Sequence, residues 1–144
     1  MMDTLFSASS LLVMPQWLMM VFAPKWRVTM TVMRSPLVVL PAALLYAALV
    51  IPMMVEALPV LAQPKLQTIA SMLGTPAGAT VGWIHFLAFD LFVGRWIYLD
   101  AHEHGRSPWL VSPILALTLM FGPLGLAIYV GLRMLRGNTP APSR

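Results

Sequence analysis

Apolar residues run in four long blocks, Leu5–Phe22, Leu37–Leu58, Ala79–Leu99 and Pro113–Leu135, separated by shorter polar breaks. A helix needs about 20 apolar residues to cross the hydrocarbon core of a bilayer, and each block is close to that length. The pattern predicts an all-α integral membrane bundle of four transmembrane helices, at about 5–22, 37–58, 79–99 and 113–135. A single domain over 1–136 would then be followed by a disordered tail, 137–144. The first block is not a secretory signal, which wants a positive start and a small-residue cleavage site. Instead it opens Met1-Met2-Asp3, carries Pro15 and Gln16 within, and has its cations, Lys25 and Arg27, behind it. The second block follows Ser35-Pro36, a helix-start signal, and contains Pro41 and Pro52, which a packed membrane helix accommodates. Residues 59–78 are more polar and predict a short interfacial helix over Pro64–Met72. The third block holds His85, Asp90 and Arg95, and leads through Asp100 into the turn Ala101–Pro108. In the fourth, Gly122-Pro123 and Gly125 mark a kink or a close approach.

Composition supports the same class. The chain is 59% hydrophobic and 10% charged, against about 45–50% and about 25% in an ordinary soluble domain. That contrast excludes a soluble enzyme, a disordered regulator and a nucleic-acid-binding domain. The formal charge of +4 comes from cations spread over loops and helix ends, so it reads as topogenic charge facing membrane lipids and implies no nucleic-acid partner. With no cysteine, disulfides, thiolate metal sites and thiol nucleophiles are excluded. The twelve methionines show no ligand spacing and read as core or lipid-facing filler, while the five tryptophans fall mostly toward helix ends. With four crossings the cations divide evenly: Lys25, Arg27, Arg34 and Arg106 on one face, Lys65, Arg133, Arg136 and Arg144 on the other. Only the cations trailing the first helix then favour placing the 23–35 loop in the cytoplasm.

The costly residues are the ionisable ones inside the blocks. A charge at the bilayer centre costs roughly 2.5–3.5 kcal/mol on insertion scales, and Asp90 sits beside the midpoint of its block. Arg95 lies about 7.5 Å further along and about 140° around an ideal helix, so the two do not pair naturally. Depth matching between antiparallel crossings predicts a buried polar layer of Gln16, Tyr46, Asp90, Arg95 and Thr118, with His85 in the other half near Glu56. Such residues serve either as a site or as interhelical adhesion, typically about 0.6–2 kcal/mol per hydrogen bond. His102, Glu103 and His104 read as an exposed loop, and no metal site is expected. No hydrolase elbow, phosphate loop, HExxH helix or dinucleotide-binding glycine run is present.

The run from Gly82 to Asp100, GWIHFLAFDLFVGRWIYLD, with Leu117-Thr118-Leu119 and Phe121-Gly122-Pro123-Leu124-Gly125, resembles the signature of the ABA4-like family. These are small membrane proteins named for the plant abscisic-acid-deficient 4 protein, which is required for neoxanthin formation. The resemblance implies four membrane helices and a link to carotenoids. In plants that link is the conversion of violaxanthin to neoxanthin, which opens an epoxide and creates an allene. This chain lacks an Arg- and Ser-rich transit peptide and is similar to a bacterial member, expected in the cytoplasmic membrane. Epoxide opening needs an acid or positive charge at oxygen, and allene formation needs a base at a vinylic carbon. Arg95 is the candidate for the oxygen, Asp90 for proton exchange and His85 for the alternative base, with no cofactor required. A long isoprenoid would lie along Phe86, Phe89, Phe92 and Trp96, with Gln16, Tyr46 and Thr118 as further contacts. The alternative is a non-catalytic carotenoid-binding or membrane-complex assembly subunit. Gly122, Gly125 and Gly131 would also permit the close helix contact of a homo-oligomer.

Overall fold

The computed structural model describes residues 1–136, with side chains through Leu135; the expected tail, 137–144, lies outside the described residues. The described chain is all helix and turn, with no strand. Eight α-helices follow one another: α1 Met2–Phe22, α2 Arg27–Arg34, α3 Leu40–Val50, α4 Met54–Ala62, α5 Leu66–Leu73, α6 Pro76–Glu103, α7 Pro108–Met120 and α8 Gly122–Arg136. Three stretches among them are long and apolar enough to cross a membrane: Met2–Phe22, Leu40–Ala62 and Pro76–Glu103. The second is α3 joined to α4 through a 3-10 turn at Ile51–Met53, where Pro52 supplies no amide for the helical ladder. The expected interfacial helix at Pro64–Met72 is α5. The expected loop at 23–35 instead contains α2, which lays buried Thr29 and Met33 against the bundle.

Helix α6 is the axis on which α1, α3, α7 and α8 pack. It starts with Thr75 as N-cap, the hydroxyl accepting from Gly78 N at 3.0 Å, and Pro76 in the first turn. It stops at Gly105, whose φ of 60° lets Arg106 N reach Ala101 O at 2.8 Å and Gly105 N reach His102 O at 3.1 Å. This is the paired closure of a Schellman cap, with glycine at the left-handed position. Along its length α6 buries Ile84, Leu87, Leu91, Ile97 and Tyr98. Gly94 lets α1 come close: a β-carbon there would overlap the ring of buried Trp17. Small residues at such crossings are how membrane helices gain packing contact without a hydrophobic driving force. Tyr98 OH ties the end of α1 to α6 by donating to Pro24 O at 2.7 Å.

The fourth apolar block, expected as one helix over 113–135, is two. The α7 helix ends at Phe121 (φ −141°, ψ 62°), and the chain turns back on itself. Gly125 rests on Thr118 so closely that a β-carbon would strike its hydroxyl and backbone, a contact seven residues apart that no straight helix permits. The order of neighbours along α6 fixes the direction. Pro108 and Val111 share a cavity with Tyr98 and Ala101, and Gly122 meets Asp90. Then Tyr129 and Arg133 return to Asp100. So α7 descends from the Asp100 end to the middle of α6, and α8 climbs back to the same end. At 13 residues, α7 spans about 20 Å, roughly two-thirds of the hydrocarbon core. The hairpin thus begins and ends at the Asp100 end of α6, with its tip beside Asp90.

This fold redistributes the cations. Lys25, Arg27, Arg34, Arg106 and Arg133, with the α8 terminus at Arg136, now share one face; Lys65, between α4 and α5, stands at the other. The 23–35 and 104–108 loops thus lie together at the cation-rich end, the bias that the positive-inside rule counts. Because the chain has no cysteine, single cysteines at Ser107, Met134 and Gln67 test both points. An impermeant maleimide should label positions 107 and 134 from one face and position 67 from the other. Labelling of 107 and 134 from opposite faces would replace the hairpin with a straight fourth crossing.

Candidate functional site

Two polar centres lie on α6. The first is midway along it. Asp90 is partly buried, its carboxylate set against Gly122 at the first residue of α8. A β-carbon at 122 would collide with that carboxylate. The sequence Phe121-Gly122-Pro123 makes this tip: Phe121 O accepts from Leu124 N at 2.8 Å and Gly125 N at 3.2 Å, and Pro123 fits a first helical turn because its missing amide would be unpaired there. The positive end of the α8 dipole thus faces a carboxyl side chain in the middle of a membrane-crossing helix. Among the described residues the Asp90 carboxylate accepts no hydrogen bond from another side chain.

A groove of about 570 Å³ runs past this carboxylate, lined by His85, Phe86, Phe89, Met120, Phe121 and Leu126 among others. His85 is exposed toward it and sits in an aromatic set: its ring lies 4.7 Å from Phe89, 5.4 Å from Tyr46 and 6.2 Å from Phe86, centroid to centroid. The groove is apolar in its walls and carries two proton-exchanging groups about 7.5 Å apart along the helix axis. That combination suits a long apolar ligand with one reactive polar end.

The second centre is at the cation-rich end of α6. Asp100 is buried to 8% exposure. It accepts from Tyr129 OH at 2.7 Å and pairs with Arg133 Nη2 at 3.2 Å. His104 folds back over it, with Nδ1 2.8 Å from Asp100 O and 3.6 Å from its carboxylate. Trp96 closes the layer, edge-on to Tyr129 at 5.6 Å and beneath the Arg133 guanidinium at 5.8 Å. Hydrogen-bonded on two sides and closed to any groove, this carboxylate locks α8 to α6.

The expected polar layer does not form. Arg95 donates from Nε to Met33 O at 2.6 Å and from Nη2 to Arg34 O at 3.0 Å. It satisfies the last carbonyls of α2, where a cation also complements the helix dipole, and it does not line the Asp90 groove. Replacing Arg95 by Gln is therefore expected to cost about 1.5–3 kcal/mol of stability, the range for hydrogen bonds to charged groups. Thermal melting in detergent checks this. Gln16 turns its amide onto its own helix, donating to Leu12 O at 3.0 Å and Val13 O at 2.9 Å. Thr118 does the same to Ile114 O at 2.7 Å, buried beneath Gly125. Trp96 belongs to the Asp100 layer. Of the expected contacts, Phe86 and Phe89 line the groove and Tyr46 stacks on His85 behind it. Gly122 and Gly125 are consumed inside the hairpin, while Gly131 has open space around it.

Tyr129, Arg133 and a buried Asp100 were not foreseen. The visible signal is Tyr129 and Arg133 at i, i+4 on one helical face, with Asp100 and His104 at the same spacing; only the hairpin brings the two faces together.

The comparisons with known proteins give the family. No solved structure matches the chain. It is 29% identical over 130 residues to "Protein ABA DEFICIENT 4, chloroplastic" of Arabidopsis thaliana, covering 86% of this chain and 58% of that protein; the chain thus spans less than two-thirds of its relative's length. The family model described as ABA DEFICIENT 4-like matches residues 4–129. The chain is a membrane protein of the ABA4-like family.

Proposed function

We propose that this protein holds a carotenoid in the groove between α6 and the tip of the α7–α8 hairpin, and isomerises an epoxide end group there. The observation that carries the reading is the Asp90 carboxylate, unpaired by any described side chain midway along a membrane-crossing helix and opening onto the same aromatic groove as His85. An ionisable group at that depth is costly and functional by default, and this one has no structural partner to repay its cost. Family membership adds the substrate class.

The isomerisation balances with these two residues alone. Asp90, as its carboxylate, takes the vinylic proton beside the epoxide. The freed electron pair becomes the second double bond of the allene as the ring carbon–oxygen bond breaks. Protonated His85 gives its proton to the released oxygen. Return of the proton from Asp90 to His85 resets the site. Nothing is oxidised or reduced, and the product has the mass of the substrate. Arg95, spent on α2, is not needed at the oxygen.

A second reading draws on Phe92, which is 54% exposed and extends the stripe of Phe86 and Phe89 at spacing three. That stripe fits a pigment or a membrane partner without chemistry. Expression in a host making both plain and epoxidised carotenoids separates the readings. Isomerisation predicts a new pigment of unchanged mass and altered absorption. An unaltered profile with pigment co-purifying would leave binding alone.

A further inference from the structure

The geometry points to a second ligand site at the cation-rich end, a cleft for a phosphate-bearing membrane lipid between the end of α1 and the start of α7. Two cavities meet there and share Pro24, Lys25 and Pro108. The first, about 760 Å³, is apolar, walled by Phe22, Trp26, Trp109, Pro113 and Ala116. The second, about 480 Å³, is polar, with Lys25, His102, Arg106 and Ser107 at its wall and no carboxylate among its lining residues.

No carboxylate lines either cavity beside Lys25. Asp100, the buried carboxylate nearby, is engaged by Tyr129, Arg133 and His104. Arg106 lies against Tyr129 at the edge of that cluster, and its Nε and Nη2 make no hydrogen bond among the described residues. The first turn of α7 opens at the same place and adds the positive end of its dipole. Trp26 and Trp109 are 55% and 90% exposed, as side chains at the headgroup level are. A free anion would leave the apolar cavity unused, and a neutral lipid would leave the cations unused. An anionic glycerophospholipid uses both, its chain along Trp26 and Ala116 and its phosphate between Lys25 and Arg106. This cleft is separate from the Asp90 groove: the two share no lining residue. Its fate is therefore independent of the carotenoid reading.

The test uses the full chain in nanodiscs of equal phosphatidylglycerol and phosphatidylcholine, released into detergent and examined by native mass spectrometry. Phosphatidylglycerol should be retained in preference to phosphatidylcholine by well over tenfold, as expected when two cations each contribute about fivefold. Lys25→Gln, at an exposed position, should lower retention about fivefold. Ala116→Trp should abolish it by filling the apolar cavity, with melting temperature read alongside to confirm folding. A large excess of inorganic phosphate should not displace the lipid. Equal retention of both lipids would overturn the proposal. So would retention indifferent to both variants, displacement by phosphate alone, or recovery of carotenoid in place of phospholipid.

Discussion

Asp100→Ala is expected to destabilise the protein by about 3–5 kcal/mol, the loss seen when one partner of a buried ion pair is removed and the other is stranded. The carboxylate is the point at which Tyr129, Arg133 and His104 converge. Without it the Tyr129 hydroxyl loses its acceptor, and Arg133, whose Nε is already buried and unpartnered, loses its counter-charge. Melting followed by monodispersity in detergent reads this directly. Replacing Asp100, Tyr129 and Arg133 together by Leu, Phe and Met should recover part of the loss, because a well-packed apolar cluster can match a buried ion pair. A melting temperature unchanged by Asp100→Ala would mean that α8 is held to α6 by packing alone.

Asp90→Asn has the opposite profile. Nothing described donates to this carboxylate, and the side chain keeps its shape, so the fold should persist. Proton abstraction should not. Loss of a positioned general base costs typically about 10²–10⁴-fold in rate, which would reduce the converted pigment below detection while bound pigment remains. Equal conversion by wild type and Asp90→Asn would remove Asp90 from the chemistry.

The class of the fold was legible because apolar block length reports membrane-crossing helices directly. The helix start near Ser35-Pro36 was legible through capping chemistry, whereas the Thr75 cap and the Gly105 stop, which carry α6 past the expected 79–99 at both ends, were not read. The fold-back at Phe121 was not. Gly122-Pro123 and Gly125 were visible as a kink or close approach, yet local sequence does not distinguish a bend within one crossing from a reversal. The difference lies in tertiary contacts, Gly125 on Thr118 and Gly122 on Asp90. That one ambiguity moved Tyr129, Arg133 and Arg136 to the opposite face and split the cations evenly. It also hid the Asp100 layer. For the site, depth along α6 correctly marked Asp90 as costly. It could not reveal that Arg95, Gln16 and Thr118 each find backbone carbonyls nearby, since such bonds depend on local geometry and not on depth. His85 and Tyr46, expected at different depths, meet where α3 packs on α6, with ring centroids 5.4 Å apart.

The most direct measurement supplies purified full-length protein in nanodiscs with violaxanthin and follows the pigment by chromatography and mass spectrometry. Wild type should yield an allenic product of identical mass, and His85→Gln and Asp90→Asn should bind the pigment without converting it. Violaxanthin that binds wild type and returns unchanged would contradict the account and leave the groove as a holder of pigment.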